Sequence, residues 1–147
     1  MPQKRKSHQS KLDRGAALLR QLEQKTTRAV TPHLGDNWRD NLFEIMMTRL
    51  ELAAKDKTFL ASLPAELRES PAAAPEFART AAGTLSRILT LATAPATPAH
   101  VAAFGVLYLH VVRTFLRDDT RDLAKTMAAL DKDLGHFERF CGYVSCK

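Results

Sequence analysis

Between Pro98 and Leu116 the chain reads PAHVAAFGVLYLHVVRTFL. Val101, Phe104, Leu107, Tyr108, Leu109, Val111, Val112, Phe115 and Leu116 leave this stretch almost no polar face. Thr97 and Pro98 suit the N-cap and first position of a helix, so the spacing predicts a helix over 98–116. A helix that is apolar nearly all round cannot rest on a surface. It is either the central rod of its fold or buried against a second subunit. Its longest apolar run, Val101–Val112, covers 12 residues and includes Tyr108 and His110. That is too short to span a bilayer, and we expect no transmembrane segment.

Such a rod needs cover, and the rest of the chain offers it as helices. Leu12, Ala16, Leu19 and Leu22 recur at spacings of four, three and three, which predicts an amphipathic helix over 11–29. Pro32 and Gly35 end it. Asp36 or Asn37 can cap a second helix running to about residue 54. Its stripe of Trp38, Leu42, Ile45, Met46 and Leu50 is widened by Phe43 and Met47, so it must be covered on more than one side. A short helix within 57–70 is expected to stop at Leu63-Pro64, with one more turn before Ser70-Pro71. After the SPAAAP linker, Phe77, Ala81, Leu85, Ile88 and Ala92 predict a helix over 75–93. The last helix, over 120–139, carries Leu123, Met127, Leu130, Leu134 and Phe137 at the four-and-three spacing of a packing seam. No segment alternates with period two. The expected fold is an all-α, single-domain helical bundle of about five or six helices, and 147 residues suffice for one core.

Charge divides the chain. Residues 1–39 hold nine Lys or Arg against three acids, whereas 40–147 hold 13 of each sign. All of the net charge of +6 therefore sits at the N-terminal end. Such a segment is drawn to nucleic acid or anionic lipid, with Lys4, Arg5, Lys6, Lys11 and Arg14 as candidate phosphate contacts. Residues 1–10 read as a basic disordered tail and 11–35 as a basic connecting helix with its linker. Residues 36–140 read as the helical domain, and 141–147 as a C-terminal tail. The start lacks an apolar leader, so a cytoplasmic protein is expected.

Chemistry-bearing motifs are sparse. Asp118, Asp119 and Asp122 crowd the junction of the last two helices. There Asp119 or Thr120 can cap, Asp122 can meet the helix dipole, and Arg117, Arg121 and Lys125 can pair with the carboxylates. That accounts for every position, and the cluster reads as a corner. The five histidines are dispersed, and Cys141 and Cys146 form a lone C-x4-C pair, a poor zinc signature. No phosphate-binding loop, dinucleotide fingerprint or H-E-x-x-H occurs. We expect no enzyme, no metal and no cofactor.

The segment VLYLHVVRTFLRDDTRDLAKTMAALDKDLGHFE, with RDNLFEIMMTRLE about 65 residues before it, resembles the C-terminal regulatory domain of TetR-family transcriptional regulators. The matching positions are Phe115, Leu116, Asp118 and Asp119, then Thr126, Met127, Ala128, Leu130 and Asp131. A more distant resemblance is to the lipid-binding family of coenzyme Q biosynthesis. The match spans about 36–138. The resemblance implies a homodimer in which the last two helices of each copy pair into a four-helix bundle. It also implies a small apolar or lipid-like ligand held inside each subunit. Candidate interface residues are Val112, Phe115, Leu123, Met127, Leu130 and Leu134. Candidate pocket residues are Trp38, Phe43, Met46, Met47, Phe77, Leu85, Phe104 and Tyr108. SKLDRGAALLRQLE resembles the end of the family's DNA-binding domain, and the two DNA-reading helices that precede it in the family are not expected in this chain. Without a recognition helix, nucleic acid could be met only through non-specific phosphate contacts or a partner that supplies the missing domain. The expected function is thus a non-enzymatic helical binding module. The alternatives are a regulator acting through its basic N-terminus or a partner, and a lipid- or quinone-binding protein of the membrane surface.

Overall fold

Six α-helices account for most of the described residues, and no strand occurs among them. The computed structural model describes residues 2–145, without the side chains of residues 2 and 4–9. Cys146 and the side chains of Lys4, Arg5 and Lys6 lie outside the described residues. The helices are α1 (Pro2–Val30), α2 (Trp38–Ala53), α3 (Lys57–Glu69), α4 (Ala74–Leu91), α5 (Pro98–Arg117) and α6 (Ala124–Ser145). The all-α, single-domain bundle is as expected.

Each start and stop has a local cause. Asn37 caps α2, its side chain accepting from the amides of Arg39 and Asp40. Pro98 opens α5, although Thr97 turns its hydroxyl to the Nδ1 of His100, 2.6 Å away, rather than to the backbone. α1 begins at Pro2, where a disordered tail was expected. Residues 3–14 contain no glycine or proline and are rich in Gln, Lys and Arg, which all favour helix. Pro64 does not stop α3. It removes one backbone hydrogen bond, and Leu63, packed on α1, offsets that loss. Gly15 permits this close approach of the two helices, because a Cβ there would stand 2.9 Å from Leu63 Cδ2. α6 starts four residues later than expected and continues to Ser145, carrying Cys141 into the core where a tail was expected.

α2 shows why its apolar face is so broad: α1, α4 and α6 all pack against it. Leu42, Ile45 and Met46 are wholly buried there, and each such side chain contributes on the order of 2 kcal/mol. α5 runs against α6 on one side and α4 on the other. Phe104, Val111 and Phe115 face inward, meeting Leu130, Leu134 and Phe137 from α6.

This arrangement corrects the expectation for the interface. Phe115, Leu123, Leu130 and Leu134 are buried within the single chain, Val112 is half-buried, and only Met127 is exposed. The four-and-three seam of α6 is satisfied by α5 and α2 of its own chain, not by a second copy. Also uncovered are one edge of α5, where Val106 is 72% and Leu109 58% exposed, and the end of α6, where Tyr143 and Val144 are exposed. By length and composition α5 is the one helix among the described residues long and apolar enough to cross a membrane. The whole helix, not the 12-residue run, sets that length. With a mean hydropathy of only 1.4 and Arg113 and Arg117 in its last turns, it makes no clear transmembrane segment.

Candidate functional site

Two polar side chains of α2 point into the bundle, and their situations differ. The Asn41 amide is fully used. Its Nδ2 donates to the carbonyl oxygens of Gly35 (2.9 Å) and Ala92 (3.1 Å), and its Oδ1 accepts from the Gly35 amide at 2.9 Å. It ties the α1–α2 loop to the end of α4. Arg49 is as deeply buried, 2% exposed, because it stands four residues from both Ile45 and Ala53 in the inward stripe of α2. Its Nε donates to the Tyr108 hydroxyl at 2.9 Å, while its Nη1 is buried with no hydrogen-bond partner.

Arg49 lies in the wall of a groove of about 400 Å³ between α1, α2 and α4. Ile45, Ile88 and Leu91 make the apolar part of the lining. From α1 comes Thr26, 3% exposed, whose hydroxyl also lacks a partner. The other polar groups are committed. Thr27 and Thr90 donate to carbonyls of their own helices, Glu23 and Ser86, at 2.9 Å each. Glu23 holds Arg87 across the rim through both its oxygens, with Arg87 Nη2 3.0 Å from Oε2. That hydrogen bond, reinforced by the opposite charge, raises the Arg87 pKa above its ordinary value. Glu23 therefore does not neutralise Arg49. Arg49 and Thr26 thus share one lining, each with a buried donor that has no partner inside the chain, and the aliphatic side chains make up its apolar part.

The candidate pocket residues lie elsewhere. None of Trp38, Phe43, Met46, Met47, Phe77, Leu85, Phe104 and Tyr108 lines this groove. Met46, Met47 and Phe104 are core, and Trp38 and Phe104 meet Phe137 ring to ring at centroid distances of 6.0 and 5.6 Å. Phe43, Phe77 and Leu85 are half-buried. Tyr108 alone bears on the site, by fixing Arg49 from behind. The reason is chemical: the sequence reading sought an apolar cavity and collected large apolar side chains, which this fold uses to fill its core. Arg49 lies outside these expectations, although its register with Leu42, Ile45 and Ala53 signals a cation carried inward.

The aspartates divide their work differently from the sequence reading. Asp118, not Asp119, anchors α6. Burial alone would raise its pKa. The hydroxyls and amides of Thr120 and Thr126 outweigh that and hold the carboxyl well below the ordinary range. One oxygen accepts from the Thr120 amide at 3.0 Å, the other from the Thr126 amide and hydroxyl at 2.8 and 2.7 Å. Thr120 in turn accepts from the Ala124 amide. Asp119 is exposed and hydrogen-bonded to Lys125, which lowers the aspartate's pKa and raises the lysine's. Asp122 is exposed. The lone pairs of Asp118 are taken up by the corner itself.

Of the candidate phosphate contacts, Lys11 is 2.8 Å from Glu66 and Arg14 lies over the Phe59 ring. Residues 2–30 form one continuous helix and so contain no helix-turn-helix. No group of three metal-ligating side chains that could hold an ion occurs among the described residues. Cys141 is buried, which pushes its thiol pKa up and away from the reactive thiolate. No protein-family model, curated protein or solved structure matches the chain.

Proposed function

We propose that this chain is a non-enzymatic helical binding module that takes a small molecule in the groove between α1, α2 and α4. The observation that carries the reading is the groove itself, whose lining joins the aliphatic side chains of Ile45, Ile88 and Leu91 to Arg49. A buried donor without an acceptor is costly, and a charged one more so. The volume of about 400 Å³ falls in the range of small-molecule sites. Thermal-shift screening of the purified chain against small organic acids, alcohols and amines tests this. Binding should occur in the wild type and be lost in Thr90→Trp, which fills the groove from its exposed α4 wall. A panel with no binder, or binding indifferent to Thr90→Trp, overturns the reading.

A second reading concerns assembly, and its support is the uncovered edge of α5. Val106 and Leu109 stand three apart on the outer face of that helix. Pairing of α5 edges from two copies would cover them, in keeping with the resemblance to TetR-family regulatory domains. Sedimentation analysis should then give a dimer for the wild type and a monomer for Val106→Asp/Leu109→Asp with helicity retained. A monomeric wild type removes the reading.

A further inference from the structure

We infer that the outer edge of α5 docks on an anionic lipid surface; this goes beyond the groove and does not depend on it. Ala102, Val106, Leu109, Arg113 and Arg117 recur at spacings of four, three, four and four. They therefore share one line along α5, within an arc of about 80° and over about 22 Å. All five are exposed, Val106 by 72% and Leu109 by 58%. The line is aliphatic in its first half and cationic in its second. The opposite face of α5, with Phe104, Val111 and Phe115, is the one the bundle buries.

The charge on this line has no answer inside the chain. α5 contains no acid, and neither Arg113 nor Arg117 has an ion pair among the described residues. The acids of the helices beside it are committed or distant. Asp131 and Glu138 of α6 both meet Arg39 of α2, at 3.2 and 3.3 Å, and Asp133 accepts from His110. Glu76, the one acid of α4, stands in its first turn. In the turn after α5, Asp119 is held by Lys125, and Asp122 has Arg121 as its neighbour in the chain. An occupant must therefore be apolar toward Val106 and Leu109 and anionic toward the arginines. A second copy meets half of this: edge against edge, it covers the aliphatic side chains but brings two more arginines and no acid. A folded protein partner seats its anchor residues in pockets, and the grooves between α1, α2 and α4 and at the start of α2 include no residue of α5. Val106 stands on a crest. A bilayer needs no pocket. With α5 lying flat on it, Val106 and Leu109 enter the acyl boundary while the long arginine side chains reach the anionic headgroups.

Co-sedimentation of the full chain with vesicles tests this, using phosphatidylcholine alone and a two-to-one mixture of phosphatidylcholine and phosphatidylserine. Wild type should partition onto the mixed vesicles far more than onto the neutral ones. Each arginine near an anionic surface adds about fivefold, so Arg113→Gln/Arg117→Gln should lower partition onto the mixed vesicles by about twentyfold. It should leave the weak binding to phosphatidylcholine unchanged. Val106→Ser/Leu109→Ser should lower partition onto both by about tenfold or more. All four positions are exposed, and circular dichroism should show helicity retained in both variants. Lys25→Gln/Arg28→Gln, which removes the same charge from α1, should change little. No partition onto the mixed vesicles overturns the proposal. Partition that survives both α5 variants also overturns it, and places the contact on the basic α1. A wild-type dimer that Val106→Ser/Leu109→Ser takes apart gives the edge to a second copy, as in the second reading above, and overturns it too.

Discussion

Replacing Asn41 by Ala tests whether the loop between α1 and α2 is held by one amide. The side chain makes three hydrogen bonds, two to Gly35 and one to Ala92. Each net hydrogen bond of this kind contributes about 1 kcal/mol, so their combined loss comes to about 3 kcal/mol. Solvent bears on that figure. Gly35 is exposed and water can replace its two bonds, whereas Ala92 is wholly buried and water cannot reach its side. Between the one bond that water cannot replace and all three, the loss is about 1–3 kcal/mol, which in a chain of this length lowers the melting temperature by roughly 2–12 °C. Urea denaturation followed by circular dichroism gives the free energy directly. Asn41→Asp sharpens the test. Its carboxylate would face the carbonyls of Gly35 and Ala92, to which only the protonated acid can donate. The variant's folded pKa must then lie above the unfolded value of about 3.9. Its stability, largest at low pH, should fall as pH rises through that folded value. A loss in Asn41→Ala below about 1 kcal/mol refutes the reasoning, because even the bond to Ala92 would then contribute nothing.

Asp118 gives the opposite pH dependence. Its folded pKa is depressed, so its contribution is present above the unfolded value of about 3.9 and is lost as pH falls toward the folded one. Urea midpoints of wild type and Asp118→Asn should differ most near neutrality and converge on acidification; a constant gap counts against it. Thr93 sits at φ 62° just after α4, a left-handed conformation that a β-branched residue adopts poorly. Thr93→Gly should stabilise by about 0.5–1 kcal/mol, the left-handed strain less the extra chain freedom of glycine, readable as a higher urea midpoint. Arg49→Met, without ligand, should be neutral or stabilising by about 1 kcal/mol, since it removes an unpaired buried nitrogen at the loss of one bond to Tyr108. A destabilisation of about 3–5 kcal/mol in the same melt would mark Arg49 as a structural residue.

Local chemistry made much of the bundle legible, and distance hid the rest. Asn37, Pro98 and the three-and-four spacing of α4 act within one or two turns, and those helices lie within a few residues of where the pattern predicts. The start of α6 depends instead on Asp118 reaching eight residues forward to Thr126, and on Leu123 at φ 54°. Thr120, one of the two expected caps, does accept from the Ala124 amide, but neither of these other features leaves a local pattern. The seam of α6 was read correctly as a packing surface but assigned to the wrong partner. Periodicity shows that a face is covered and does not say by what. α5 and α2 reach it first.

The case for the groove rests on contrast within the same molecule. Asn41, Asp118 and Thr126 are all buried and polar, and each has its hydrogen bonds made inside the chain. The exceptions among buried side-chain atoms are few. Arg39 Nε lies 3.3 Å from Glu138, so its charge is met. Asp56 Oδ2 and His100 Nε2 stand singly, neither in the lining of this groove. Thr26 and Arg49 are the pair that share one cavity, on helices facing each other across it. A packing fault leaves a solitary orphan. Two such donors, brought by α1 and α2 into the lining of one apolar groove, set this part of the core apart from the rest of the bundle.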